Sequence, residues 1–269
     1  MIIKKVPKYL LILIVSLLLY FPLLVIILLS FNASSSGISF TGFTIKWYQN
    51  IINDETLFQA IKNTLLISLL STSISTVLGT FFAIGIYSLK NGQRKFITFL
   101  NNVPIINADI VTAVCLMIIF SALGLKFGMT TMLLSHIFFS IPFVIINILP
   151  RLKGLDKDLY YAAIDLGASK FQALYKVIIP AIKDGIFAGG LIAFTMSIDD
   201  FIISWFNTGN GFSNFSIWVY ARLGRRSFSP SAYAYNTLIT LVTIIGIIVY
   251  HHISNKKLRE IEKQANINK

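Results

Sequence analysis

A chain of 269 residues that is 55% hydrophobic and 13% charged stands apart from soluble domains, which run at roughly a quarter charged, and points to an integral membrane protein. The net charge of +12 comes from 23 Lys+Arg scattered between long apolar runs, which excludes the clustered basic face of a nucleic-acid binder. Cys115 is the only cysteine, so an internal disulfide and a Cys-x-x-Cys metal set are excluded, and the thiol reads as a packed small hydrophobe.

A membrane-spanning helix needs about 20 mostly apolar residues. Six stretches qualify: 9–31, 64–89, 105–125, 130–149, 186–206 and 232–250. The basic start MIIKKVPKYL is similar to the head of a signal peptide, but the run over 9–31 is 23 residues long. A cleavable core has about 7–15 residues and a small-x-small cleavage site, so the run reads as a retained first span. Pro22 and Pro142 fall inside spans, where neighbouring helices re-satisfy the freed backbone groups. An even span count puts both termini on one side. With the termini cytoplasmic, 17 bases lie inside and 6 outside, which satisfies the positive-inside rule and predicts an N-in, C-in topology. The outer connections carry Trp47, Tyr48, Trp218 and Tyr220, residue types suited to the headgroup region.

The inner connection 151–185, RLKGLDKDLYYAAIDLGASKFQALYKVIIPAIKDG, is too polar to span and too patterned to be a linker. Leu159, Ala162, Ala163 and Leu166 make one face of a short helix, with Asp158 as candidate N-cap and Gly167 placed for a left-handed C-terminal turn. Ser169 can cap a second helix with a Phe171, Leu174, Tyr175 and Ile178 face, and Pro180 ends it or starts the next element. Two such helices pack either on the bilayer surface or on a cytoplasmic partner.

The stretch YAAIDLGASKFQALYKVIIP resembles the cytoplasmic loop of ATP-binding-cassette importer permeases, whose pattern is Glu-Ala-Ala, three residues, Gly, about nine residues, then Ile-x-Leu-Pro. Ala162, Ala163, Gly167, Ile178 and Pro180 match it; Ile179 replaces Leu, and Tyr161 replaces the Glu. FTGFTIKWY, SHIFFSIPFVI, RLKGLD and FTMSIDDFIISWFNTG are similar to the second-permease branch of spermidine/putrescine importers. The resemblance covers nearly the whole chain.

It implies an all-α polytopic protein with the six-helix, type I ABC importer permease fold, one permease domain over 1–269 in a bacterial cell membrane. It also implies a coupling loop in which Tyr161, Ala162, Ala163, Asp165, Gly167, Ala168 and Pro180 meet the ATPase. The partners it implies are a second homologous permease, an ATP-binding subunit dimer and an extracellular polyamine-binding receptor, besides membrane lipid. No cofactor is implied for this chain, since ATP is used by the partner, and no G-x-x-x-x-G-K-[ST] loop is present.

Three acids fall at membrane depth, Asp109 in the third predicted span and Asp199 and Asp200 in the fifth. Such acids are rare and mark solute or ion paths. Polyamines carry two to four ammonium groups, which carboxylates satisfy through charge-assisted hydrogen bonds and aromatic faces through cation–π attraction. On a continuous helix Asp200 would share a face with Met196, Ser197 and Ser204. Phe194, Phe201 and Trp205 would repeat along the same path. Asp109 alternatively caps a helix near the cytoplasmic entrance. His136 reads as a helix–helix hydrogen-bonder, and His251 and His252 carry no role. The alternatives are an importer permease for another small solute and an ion-coupled secondary transporter; the latter folds commonly show inverted repeats, and none is visible here.

Overall fold

The computed structural model describes residues 8–34, 39–156, 158–209, 211–223, 229–246 and 248. The basic residues Lys4, Lys5, Lys157, Arg225 and Arg226, the tail with His251 and His252, and the end of the sixth predicted span lie outside the described residues. Regular structure among the described residues is helical, with one isolated bridge between Asn32 and Phe43. They fall into two compact units, 8–58 with 222–248, and 59–221.

In the first unit, α1 (Lys8–Ser30) is apolar on all sides and leaves Leu11, Leu18, Leu19 and Phe21 exposed, which suits a helix bathed in lipid. The chain then turns around Asn32, whose amide donates to Ser39 O at 2.8 Å while its Oδ1 accepts from Ser34 N and Thr41 N, each at 3.1 Å. Trp47 opens α2 (Lys46–Asn53), and its indole donates to Asn32 O at 2.7 Å. That bond buries the ring, so Trp47 is packed within this unit and not presented to a headgroup layer. Asp54 caps α3 (Glu55–Ser88), which begins well before the predicted residue 64. Its Oδ1 accepts from Thr56 N at 3.0 Å, Thr56 Oγ1 at 2.7 Å and Leu57 N at 3.1 Å. Burial pushes the Asp54 carboxyl up, but these bonds, aided by Arg222, outweigh it and hold the group below the usual carboxylate range.

The second unit departs from uninterrupted spans in two places. α4 (Asn91–Ile106) and α5 (Asp109–Ala122) meet at extended residues Asn107 and Ala108 and are bent by 103°. The predicted span 105–125 is therefore mostly α5, with Asp109 in its first turn. α5 buries Thr112, Ala113, Leu116 and Phe120. Cys115 lies off that face and is exposed, contrary to the packed position expected for it.

α6 (Met129–Lys153) is long and continuous despite Pro142. After the loop helices comes α10 (Lys183–Ile198), which packs along α6 through glycine. A Cβ added at Gly189 would lie 3.0 Å from Val144 Cα, and one at Gly185 would lie 3.1 Å from Asn147 O. Close approach of this kind lets helices pack well where lipid supplies no hydrophobic drive. Val144, Ile145, Ile148 and Leu152 of α6 join Ala83 of α3 and Ala193 of α10 in the main core.

The second break falls at 199–201, between α10 and α11 (Ile202–Asn207). α12 (Phe215–Tyr220) follows, with Trp218 buried and Tyr220 half exposed; only Tyr220 of this pair is free to meet a headgroup layer. The described part of the last predicted span is a helix over Ser231–Gly246, here α13. Among the described residues, three helices are long and apolar enough to cross a membrane: Leu10–Ser30, Glu55–Ser88 and Met129–Lys153. The two bent pairs, Asn91–Ile106 with Asp109–Ala122 and Lys170–Ala181 with Lys183–Ile198, meet the same criterion when each is taken as one span.

Candidate functional site

Both breaks serve one place. Asp109 enters from the first turn of α5, Asp199 sits at the C-terminal end of α10, and Asp200 occupies the non-helical step before α11. All three line a single cavity of about 630 Å³ whose walls include Phe139, Met196 and Phe201. An acid-lined hollow whose other walls are apolar and aromatic apart from Thr195 can replace the water shell of an alkylammonium ion, offering carboxylate oxygens to the N–H groups and ring faces to the charge.

The carboxylates differ in surroundings. Asp200 accepts from Ile203 N at 3.2 Å and Ser204 N at 2.7 Å, and so caps α11. Its Oδ2 also lies 3.5 Å from Nε2 of His136, and its side chain is only 9% exposed. An Asp that accepts two amides at a helix start competes with continuation of the preceding helix. This is why 186–206 does not run as one helix and why the face drawn through Met196, Ser197, Asp200 and Ser204 does not exist as such. Asp199, freed from that cap, is the more exposed of the two.

The remaining expected path residues separate. Ser197 is buried and bonds to Ser71 Oγ at 3.0 Å and His136 Nδ1 at 2.6 Å, away from the cavity lining. Trp205 is half exposed and packs with Phe201 and Tyr220 at centroid separations of 5.7 and 5.2 Å, while Phe201 and Tyr220 lie 4.6 Å apart. The trio touches the acid cavity through Phe201. Phe194 lines a different groove, with Phe187 and Thr76. His136 does join helices, as its isolation in an apolar span suggested. Asn214, which bonds to Ser204 Oγ at 2.9 Å and so completes its surroundings, went unread in the sequence. A usable signal was present in Ser68, Ser71 and Ser75, a fully buried polar stripe on α3 at helical spacing.

The coupling-type loop has its own geometry. α7 (Asp158–Asp165) is capped by Asp156, whose Oδ1 accepts from Asp158 N at 3.0 Å, not by Asp158. It ends in a reciprocal pair of bonds, Ala168 N to Ala163 O at 3.0 Å and Gly167 N to Ile164 O at 2.9 Å. Gly167 has φ +86°, the left-handed residue that this ending requires. Ser169 and Gln172 form a capping box over α8 (Lys170–Ala173), with bonds of 3.2 and 2.9 Å. A π-helical turn over Leu174–Ile178 leads into α9 (Ile179–Ala181). The Pro180 ring would press on the carbonyl four residues back, at Lys176, and the wider turn contains that residue. Pro180 thus sits within a helical run, and the chain bends by 68° only where α10 begins.

The expected faces split: within the second, Leu174 and Ile178 turn to the main core while Phe171 and Tyr175 turn outward. Tyr160 and Leu174 pack against the main core, whereas Tyr161, Leu166, Phe171 and Tyr175 are 63%, 89%, 72% and 64% exposed. Apolar side chains set outward on an ordered two-helix loop form the kind of patch that marks an interaction surface.

The family model described as "Binding-protein-dependent transport system inner membrane component" matches residues 1–259. The chain belongs to this family. Among relatives, it is 34% identical over 90% of its length and 91% of the other chain to the "Spermidine/putrescine transport system permease protein PotC" of Escherichia coli (strain K12). It is 29% identical, over 91% of each chain, to the "Putrescine transport system permease protein PotI" of the same strain. Among solved structures, a bacterial ABC transporter "involved in the import of the acidic polysaccharide alginate" matches with a TM-score of 0.69, covering 92% of this chain and 94% of that one at 16% identity. At that identity the likeness speaks for the fold, that of a type I ABC permease. As an inner membrane component of a transport system, the family member is a membrane-embedded transport subunit.

Proposed function

We propose that this chain is the permease subunit of an ATP-driven importer that carries polyamines such as spermidine and putrescine into the cell. The observation that carries the reading is the meeting of Asp109, Asp199 and Asp200 at one cavity beside Phe139 and Phe201. A polyammonium chain needs several anionic and aromatic groups along its way, and three acids there argue against an anionic solute. The names of the relatives support the same substrate class.

Six spans forming one domain over 1–269 result if α5, α10 with α11, and α13 each supply a crossing beside the three long helices; the distribution of bases then favours an N-in, C-in topology. Residues 151–185 lie in the cytoplasm on this reading. The exposed Tyr161, Leu166, Phe171 and Tyr175 are the surface on which an ATP-binding subunit docks, with Ala162, Ala163, Asp165, Gly167, Ala168 and Pro180 shaping it. A second homologous permease completes the path, and a solute receptor outside fits the binding-protein-dependent family description. ATP is consumed by the partner, so this chain binds no cofactor of its own. Closure of the ATPase dimer moves the loop and, through its packing on the main core, tilts the helices that carry the acids.

The test is uptake of labelled spermidine in cells lacking their own polyamine permease, supplied with this chain and its partner subunits, beside Asp199→Asn. Uptake that requires an active ATPase and falls at least tenfold in the variant is expected. Uptake that persists without ATPase activity but stops with an uncoupler would overturn the energy source. Absence of uptake in an assembled wild-type complex would overturn the substrate.

A further inference from the structure

The break at 199–201 leaves two helix ends that need holding, and one side chain from a third helix spans them. His136 of α6 sets Nδ1 2.6 Å from Oγ of Ser197, in the last turn of α10, and Nε2 2.9 Å from Oγ of Ser204, in the first turn of α11. The imidazole is fully buried. Asn214 reinforces the same point, donating to the Asp200 carbonyl at 3.1 Å and to Ser204 Oγ at 2.9 Å. Side chains from α6 and the loop before α12 therefore converge on a gap of three residues.

The hydrogens can be placed by counting. A neutral imidazole has one donor and one acceptor nitrogen. Nε2 faces both Ser204 Oγ and, at 3.5 Å, the Asp200 carboxylate, so the donor belongs there. Nδ1 then accepts from the Ser197 hydroxyl, whose oxygen lies 3.0 Å from Ser71 Oγ of α3, a hydroxyl that also reaches Ser68 O at 3.3 Å. The chain of bonds ties α3, α6, α10 and α11 to the two sides of the break.

We propose that His136 is a positioning residue for the acid cavity: it clamps the end of α10 to the start of α11 and thereby aims the carboxylate of Asp199 into the solute path. The direction of the Asp199 side chain follows from where the chain leaves α10 and where Asp200 is pinned, and His136 contacts both places. The proposal rests on the reading of Asp199 as a path residue given above.

A double-mutant cycle on the complete reconstituted complex tests it. Labelled-spermidine uptake and ATP hydrolysis are followed for Asp199→Asn, His136→Gln and the pair. The Gln amide keeps a donor toward Ser204 but gives up the second ring nitrogen that reaches Ser197. Each single variant lowers uptake at least tenfold and raises the ATP hydrolysed per solute carried, and the pair is within twofold of Asp199→Asn alone, because the two act through one group. Multiplying losses, or full uptake in His136→Gln beside a crippled Asp199→Asn, overturn the clamp and leave the path reading standing. Full uptake in Asp199→Asn alone overturns the path reading and the clamp with it. If His136→Gln does not assemble, the same cycle run with Ser197→Ala decides: non-multiplying losses of threefold or more uphold the clamp, and multiplying losses or none overturn it.

Discussion

Asn and Asp rank together as helix N-caps, whereas Ala gives up the cap at a cost of about 0.5–2 kcal/mol. Asp200, whose carboxylate receives the amides of Ile203 and Ser204, should obey that ranking. Asp200→Ala lowers the melting temperature of the detergent-solubilised complex clearly, and Asp200→Asn does so much less, so the two variants separate the cap from the charge. Asp54 allows a pH test away from the membrane-spanning segments. Its folded carboxyl is held below the usual range by Thr56, Leu57 and Arg222. Such a group stabilises fully above its unfolded pKa, about 3.9, and that contribution is lost as pH falls through the lowered folded value. Melting curves between roughly pH 6 and pH 3 should therefore drop more steeply for the wild type than for Asp54→Asn. Equal slopes would remove Asp54 from the account.

At the level of helices, the contact of α6 with α10 depends on the missing side chains of Gly185 and Gly189. A methyl at Gly189 would sit 3.0 Å from Val144 Cα, a backbone atom that cannot swing aside. Gly189→Ala is expected to destabilise by about 1–3 kcal/mol, the usual range for overpacking. Gly85 of α3 has nothing within 4 Å of the corresponding point. Gly85→Ala should then be neutral or stabilise by about 0.5–1 kcal/mol through helix propensity. Thermal unfolding of the two variants side by side checks the argument, and equal responses would contradict it. The α10–α11 break shows how much of an element is visible beforehand. The apolar run and the two acids within it stand out in the sequence, but the break itself does not. It depends on Asp200 finding the α11 amides and on His136 arriving from α6, contacts that local periodicity does not encode.

For the whole molecule, the exposed loop patch carries the prediction. Leu166→Glu with Phe171→Glu places charge where Leu166 and Phe171 are 89% and 72% exposed, so the permease itself should fold as before. Co-purification of the ATP-binding subunit with the double variant should fall at least tenfold, and uptake with it. Retention of the ATPase would move docking elsewhere on the loop.

Composition alone decides the class of molecule. A chain this apolar and this poor in charge must bury its backbone polar groups in helices if it enters lipid, and its bases must lie mostly on one side. The pattern around Ala162, Ala163, Gly167 and Pro180 likewise points to the importer permeases before any coordinates are known, because a turn needing a left-handed residue is written locally as Gly167. The tertiary structure decides what depends on distant neighbours. It turns Tyr160 inward while Leu159 and Leu166 stay outward, since the core offers its surface to only one side of α7. It buries Ser197 and exposes Cys115, because the packing partners of each come from other helices. It also divides the two adjacent aspartates of the cavity into one held as a helix cap and one left more exposed, for only one carboxylate can occupy the start of α11 while His136 stands beside it.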